Sequence, residues 1–502
     1  MVNRTGPCLD FGAWSGLRLA TIIRLYARLQ LQEVNGRVDI YGLKRIPFLS
    51  RYNFFHEFHH ILAWGVIVGL IEGNFASIVV AKTFEGSDFL ITIASATPMA
   101  LHIVSLVWGA YCVGRRKLKI FTFCTTGTVL ALASVAMTPD VSYGGWLFVL
   151  QMAAAQFFQT GAVTVRSSLW KSNYPPLVRG QITARLQMAR AVTRLVSVAI
   201  IATFFDLDPQ SYRWIYPSAA LIGAIGVVCL RRMRVRGEVG ELRRLHGGER
   251  GDGALTGHAS AQRILSSTHV LTSAISVLKH DTRFRNYCIA QMLAGVTNLL
   301  VRAVVVVILT QQVLAGMESG YWLNTVLLEL LPMLLMLASM HASARYFDRT
   351  GVLRYRAVQM IGWLLAIFFG MCGTLAIGNM DWIGPRALLI SVGCFAMFSI
   401  IRGICLGGGS IAWNLGHLHF VNNEDADVYM GIHVSLTGLR AMFIPILGMV
   451  LWNWIGWGVW LVSLVSGSLA ICIFRMLELR EREAPTRATS LIAVETLQKP
   501  TA

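Results

Sequence analysis

Residues His56-Glu57-Phe58-His59-His60 satisfy the H-E-x-x-H pattern. On a helix, His56 and His60 stand one turn apart and could hold a zinc ion, with Glu57 as general base. A catalytic zinc needs a third protein ligand, and no Asp-Gly pair follows in an apolar stretch to supply it. The segment also lies in aromatic and charged sequence, at the mouth of the first long apolar run. An intramembrane zinc metalloprotease is therefore kept as an alternative.

A second set of reactive residues is embedded in apolar sequence: Glu72, Arg302, Glu329, Arg402 and Arg440. A charge in hydrocarbon is costly, so such groups turn toward a protein interior or a watery cavity and often mark a pathway. Arg302 and Arg402 are suited to an anionic group, with Glu72 as counter-ion or proton carrier. Gln151, Gln156 and Gln159 add polar groups to another apolar run. Glu329 and Arg440 are expected to be inter-bundle or structural charges, with Glu329 pairing with an arginine of another helix. No G-x-x-x-x-G-K-[ST] phosphate loop is present, and Gly403 with Gly407-Gly408-Gly409 is expected to permit close helix packing.

The elements that must position these residues are membrane helices. Of the 502 residues, 55% are hydrophobic and 14% charged, whereas soluble domains carry about 25% charged residues. A helix needs about 20 apolar residues to cross a ~30 Å hydrocarbon core. Such runs fall near 60–81, 89–112, 119–138, 145–168, 187–205 and 214–231. Six more fall near 287–312, 320–341, 356–377, 386–410, 429–451 and 455–475. The runs are continuous, without the alternation of a membrane β-barrel. The fold class is an all-α polytopic membrane protein with about twelve spans in two six-helix bundles. Residues 1–56 form a basic cytoplasmic segment with an amphipathic helix expected over 17–31. The bundles occupy 57–231 and 286–476, joined by a basic linker over 232–285, and 477–502 is a cytoplasmic tail.

Loop charge orients the chain. Arg115, Arg116, Lys117 and Lys119 follow span 2, and Arg345, Arg349, Arg354 and Arg356 follow span 8. The alternate loops carry Glu85, Asp88, Asp140, Asp206, Asp208, Glu318 and Asp381. The positive-inside rule places both termini and the linker in the cytoplasm, against one dissenting link that holds Glu424 and Asp425. A net charge of +18 accumulated in this way suits anionic lipid headgroups on the cytoplasmic side rather than nucleic acid. The nine cysteines are scattered, with no metal-type spacing, and no cofactor is indicated.

After span 8 the chain reads Ala344-Arg345-Tyr346-Phe347-Asp348-Arg349-Thr350-Gly351. It resembles the small-x-x-x-Asp-Arg-x-Gly signature of the major facilitator superfamily. A counterpart after span 2 keeps Gly114, Arg115 and Arg116, but Tyr111 stands where the signature has Asp. The halves also share a faint repeat: Arg190-Ala191 and Arg440-Ala441 each follow a Gly by about ten residues, as in transporters built from duplicated halves. The resemblance implies spans 1, 4, 7 and 10 around a central cavity and the two signature loops as a cytoplasmic gate. It also implies a secondary active transporter moving a small molecule by alternating access, and not an enzyme. The plasma (inner) membrane is the expected location, a monomer is compatible with the sequence, and a non-transporting receptor or scaffold is the other alternative.

Overall fold

The computed structural model describes residues 46–112, 115–240, 242, 275–315, 317, 320–420 and 426–497. The amphipathic helix expected over 17–31, Gly114, the Glu424-Asp425 pair and most of the linker lie outside these residues. Among the described residues, twelve helices are long and apolar enough to cross a membrane. In the first half they are Phe48–Ile71, Asp88–Gly109, Lys117–Met137, Gly144–Arg166, Ile182–Leu207 and Pro209–Arg231. In the second they are Thr282–Val313, Gly320–Thr350, Val352–Gly378, Arg386–Trp413, Ile432–Ile455 and Gly458–Glu483. They are called spans 1 to 12 below.

Packing divides the spans as the six-plus-six pattern predicts. Span 1 lies against spans 5 and 6, and span 3 against spans 4 and 6. In the second half, span 9 lies against spans 10 and 12, span 8 against span 10, and span 7 against spans 11 and 12. The bundles meet where span 2 packs on span 11 and span 5 on span 8. Close approach within a bundle uses residues without a Cβ. A methyl group at Gly403 or Gly407 in span 10 would press on the Pro332 or Met336 carbonyl of span 8.

Two boundaries differ from the sequence expectation. Span 1 starts at Phe48, directly after Pro47, not near residue 60. Its early polar residues had lowered the apparent hydropathy, but they are buried against protein: Asn53 donates to the Arg234 carbonyl at 2.8 Å. At the other end, the helix of span 12 continues to Leu497 and takes in most of the expected tail. Ion pairs from Glu478 to Arg475 and Arg482, three and four residues away, support that extension.

Departures from regular α-helix in spans 1, 7 and 8 bear on the site. Span 1 stops at Ile71, passes through Glu72, Gly73 and Asn74, and resumes as a short helix over Phe75–Lys82. Gly73 has φ +85°, a conformation that an L side chain resists. Span 7 breaks after Leu299 and resumes at Arg302. Span 8 takes a π-helical turn over Val326–Leu330, a wide turn found often at functional sites. That turn contains Glu329.

Candidate functional site

The break in span 1 is the point around which polar residues converge. Unwinding frees the carbonyls of Glu72 and Gly73 and the N–H of Asn74 from the helical ladder. Freed backbone groups inside a membrane protein must find partners. Arg194 of span 5 donates to the Glu72 carbonyl at 3.3 Å. Arg302 of span 7 donates to the Gly73 carbonyl at 3.0 Å and to the Asn74 side-chain carbonyl at 3.2 Å. The Asn74 N–H donates to Glu329 of span 8. The break in one bundle is thus satisfied largely by side chains of the other.

Side chains extend the network. Arg194 bonds Glu329 at 2.8 Å and stands 3.8 Å from Glu72. Gln159 donates to Glu72 at 3.1 Å while its carbonyl accepts from the Trp64 indole at 2.9 Å. Arg302 also reaches the Met99 sulfur at 3.0 Å. Arg402 donates to the Leu328 carbonyl at 3.2 Å. Arg190 lies one helical turn before Arg194 and makes no hydrogen bond among the described residues. Its guanidinium and that of Arg194 both act on Glu72, and His102 of the span 2 helix is also within electrostatic reach of Glu72. Glu329 is 8% exposed. Arg190, Arg194, Arg302 and Arg402 are half-buried.

This centre brings together Glu72, Gln159, Arg302, Arg402 and Glu329 from the residues singled out in the sequence. Two of the expected glutamines are elsewhere. Gln151 accepts from Thr138 at 2.7 Å and donates to the Ser134 carbonyl at 3.0 Å, joining spans 3 and 4. Gln156 donates to the Pro98 carbonyl at 3.0 Å and joins span 4 to span 2. Arg440 donates to the Gln291 carbonyl at 2.5 Å and packs on Gly295, inside the second bundle. Sequence reasoning missed Gly73, Asn74, Arg190 and Arg194 as site residues. The spacing of Arg190 and Arg194, i and i+4 within a predicted span, was the available signal, since it puts both on one helix face.

The H-E-x-x-H segment is inside span 1. Glu57 is buried and accepts from the Trp170 indole and the Tyr174 hydroxyl, each at 2.5 Å. His60 is buried, stacked on Trp64, and its Nδ1 lies 3.1 Å from the Gly226 carbonyl. His56 instead packs edge-on against Tyr52. Among the described residues no group of three His, Cys, Asp or Glu could hold a metal ion.

At the expected gate, Ala344, Asp348 and Arg349 continue the helix of span 8, whose turn into span 9 falls at Gly351 with φ +75°. Asp348 and Arg349 are exposed and have no ion-pair partner among the described residues. After span 2, the Arg115 guanidinium lies over the Tyr111 ring at 3.8 Å, and Arg116 is exposed. The Lys117 N–H donates to Glu238 at 2.7 Å, tying this loop to the chain after span 6.

The opposite end joins the bundles directly. Asp206, at the end of span 5, accepts from the Tyr321 and Trp322 N–H groups at 2.7 and 2.9 Å. Those groups open the helix of span 8, where free N–H donors suit a carboxylate. The Tyr321 hydroxyl bonds Thr83, its ring lies 5.1 Å from that of Phe205, and the Lys82 ammonium stands 5.5 Å from its centroid.

No family model and no curated protein matches the sequence. Solved structures do match. A mutant of the nucleoside transporter NupG aligns with a TM-score of 0.59 and 13% identity, over 86% of this chain and 99% of that one. The xylose transporter XylE from E. coli, in an inward-open conformation, aligns at 0.55 and 17%, over 84% and 94%. A POT family transporter in complex with a thioalcohol-conjugated peptide aligns at 0.57 and 13%, over 88% and 99%. The two six-helix bundles, the paired inter-bundle contacts and these alignments agree, and the chain has the fold of the major facilitator superfamily.

Proposed function

We propose that this protein is a secondary transporter that carries a small anionic molecule across a membrane by alternating access. The supporting observation is that the polar centre is divided between the bundles. Arg194 of the first bundle bonds Glu329 of the second, and Arg302 of the second bonds the broken backbone of the first. Rocking one bundle against the other changes these contacts, and a ligand that replaces them can couple its binding to that motion. The similar folds include nucleoside, xylose and peptide transporters by name; the anionic character assigned here follows from the arginines. Glu72 serves as counter-ion to Arg194. Proton carriage through Glu72 is the second reading, favoured by its half-buried carboxylate at the break in span 1.

An untargeted metabolite comparison of deletion and overexpressing cells would supply candidate substrates, and proteoliposomes would test them. Accumulation under an imposed gradient is the expected result, with Arg302→Gln reducing it at least about tenfold, since that change removes the contacts to the Gly73 carbonyl and the Asn74 side chain. Specific binding without movement under any gradient would replace the transporter by the receptor alternative. If Glu72 carries protons, Glu72→Gln abolishes pH-driven uptake and leaves exchange partly intact. Unchanged pH-driven uptake would remove that role.

A further inference from the structure

Charge and donor counts at the centre specify more than an anion. Among the described residues, four guanidiniums face two carboxylates there: Arg190, Arg194, Arg302 and Arg402 against Glu72 and Glu329. His102 is also within reach of Glu72, and Arg166, one layer away, is within electrostatic range of Arg190 and Glu72. Both carboxylates accept N–H donors, as ionised carboxylates do, so the centre holds two surplus positive charges. Neighbouring layers of the first bundle show no such surplus, whereas Arg356 and Arg440 carry one inside the second bundle. Toward the cytoplasmic end, Arg166 and Glu57 act on one another, and toward the other end Lys82 faces Asp206.

The surplus resides on particular side chains. Arg194 is committed to Glu72 and Glu329. All three nitrogens of Arg302 are engaged, by Asn74, Met99 and Gly73. That makes Arg302 a positioning residue that holds the break in span 1. Arg402 has one hydrogen bond, to the Leu328 carbonyl, and Arg190 has none among the described residues. These two stand on different bundles, and Arg194 is within electrostatic range of both. Two guanidiniums with open N–H forks suit carboxylate, phosphate or sulfate oxygens. Enclosing them unpaired would leave two uncompensated charges in a low-dielectric interior, which is expensive.

We propose that the ligand is a small dianion, a dicarboxylate or an oxyanion of two charges, bridging Arg190 of the first bundle and Arg402 of the second. The proposal rests on reading this centre as the transport site. A monoanion would leave one charge uncompensated on closure, and a neutral ligand both.

The test uses purified full-length protein in detergent and follows thermal stabilisation by succinate, by monomethyl succinate, which is similar in size with one charge fewer, and by sulfate and acetate. Succinate or sulfate should act at concentrations at least about tenfold lower than its singly charged partner, as expected when one full charge pairing is lost. Arg190→Gln and Arg402→Gln should each reduce that preference below about threefold, with Arg190→Lys and Arg402→Lys retaining more of it. The comparison of charges on the unaltered protein stands even if a variant fails to fold. Equal effects of singly and doubly charged anions, or none from any, would overturn the proposal, as would an undiminished preference in both Gln variants. Proteoliposomes separate this result from the transport reading. A dianion preference without labelled succinate or sulfate flux would defeat transport and keep the charge assignment. Flux of singly charged anions equal to that of doubly charged ones would do the reverse.

Discussion

The first helix of each bundle is broken, and the two breaks are used differently. Span 1 opens at Glu72-Gly73-Asn74 and turns its freed groups toward the other bundle, where Arg302 and Glu329 bond them. Span 7 opens at Leu300-Val301 with its backbone covered from within its own bundle, because Gly448 of span 11 sits directly on the Leu300 carbonyl. The difference teaches that a helix break is not itself a site. A break covered by its own bundle is a rigid platform for a side chain, here Arg302, whereas an uncovered one makes the backbone a partner for the moving half.

The sharpest way to break this comparison is Glu329→Ala. It leaves Arg194 with only the more distant Glu72 and the Asn74 N–H without its acceptor, and removing one member of a buried pair costs about 3–5 kcal/mol. Unfolding in detergent should show a loss of that size, together with a wider separation of spans 5 and 8 by spin-label distances. A stability change below about 1 kcal/mol would mean that the pair does not join the bundles.

Gly73→Ala and Gly448→Ala come next, and they sharpen the contrast. The first forces a side chain into positive φ and onto the Glu329 carboxylate and Arg194 guanidinium, and such strain costs about 1–3 kcal/mol. The second presses a methyl group onto backbone, an overpacking cost also of about 1–3 kcal/mol. Similar stability losses are expected, but only Gly73→Ala should alter the distance between bundles. The same displacement in both would erase the distinction.

The smallest effect belongs to Gln151→Leu. It removes two hydrogen bonds between spans 3 and 4, each worth about 1 kcal/mol, and should leave any labelled flux unchanged. Gln159→Leu, which uncouples Trp64 from Glu72, should lower flux strongly. Equal flux in the two variants would show that Gln159 is no more part of the centre than Gln151.

The bundles were legible in the sequence because hydrocarbon demands long apolar runs, and that demand leaves its mark on every span. The centre was legible only in part. Glu72, Arg302, Glu329 and Arg402 stood out as charges in apolar sequence. Gln151 and Gln159 did not differ in sequence, since helix phase and the position of Trp64 decide which of them reaches Glu72. Arg194 was hidden in a span whose early residues are otherwise rich in basic groups, so its charge looked like loop charge. Gly73 carried no signal of its own, because its importance comes from two side chains on other helices that occupy the space where its Cβ would lie. His56, Glu57 and His60 had the spacing of a metal site, but spacing along a helix does not reveal that Trp170, Tyr174 and Gly226 already occupy Glu57 and His60.

The Asp206 contact with the Tyr321 and Trp322 N–H groups has a kinetic consequence. Each bond there can be exchanged for one to water when this rim parts, so it is a zipper with little net resistance. The contacts of Glu329 and Arg302 have no such substitute until water has reached the middle. If the bundles rock as proposed, the barrier to opening at this rim lies at the midplane, and substitutions at Asp206 should shift how long the closed state lasts far less than substitutions at Glu329.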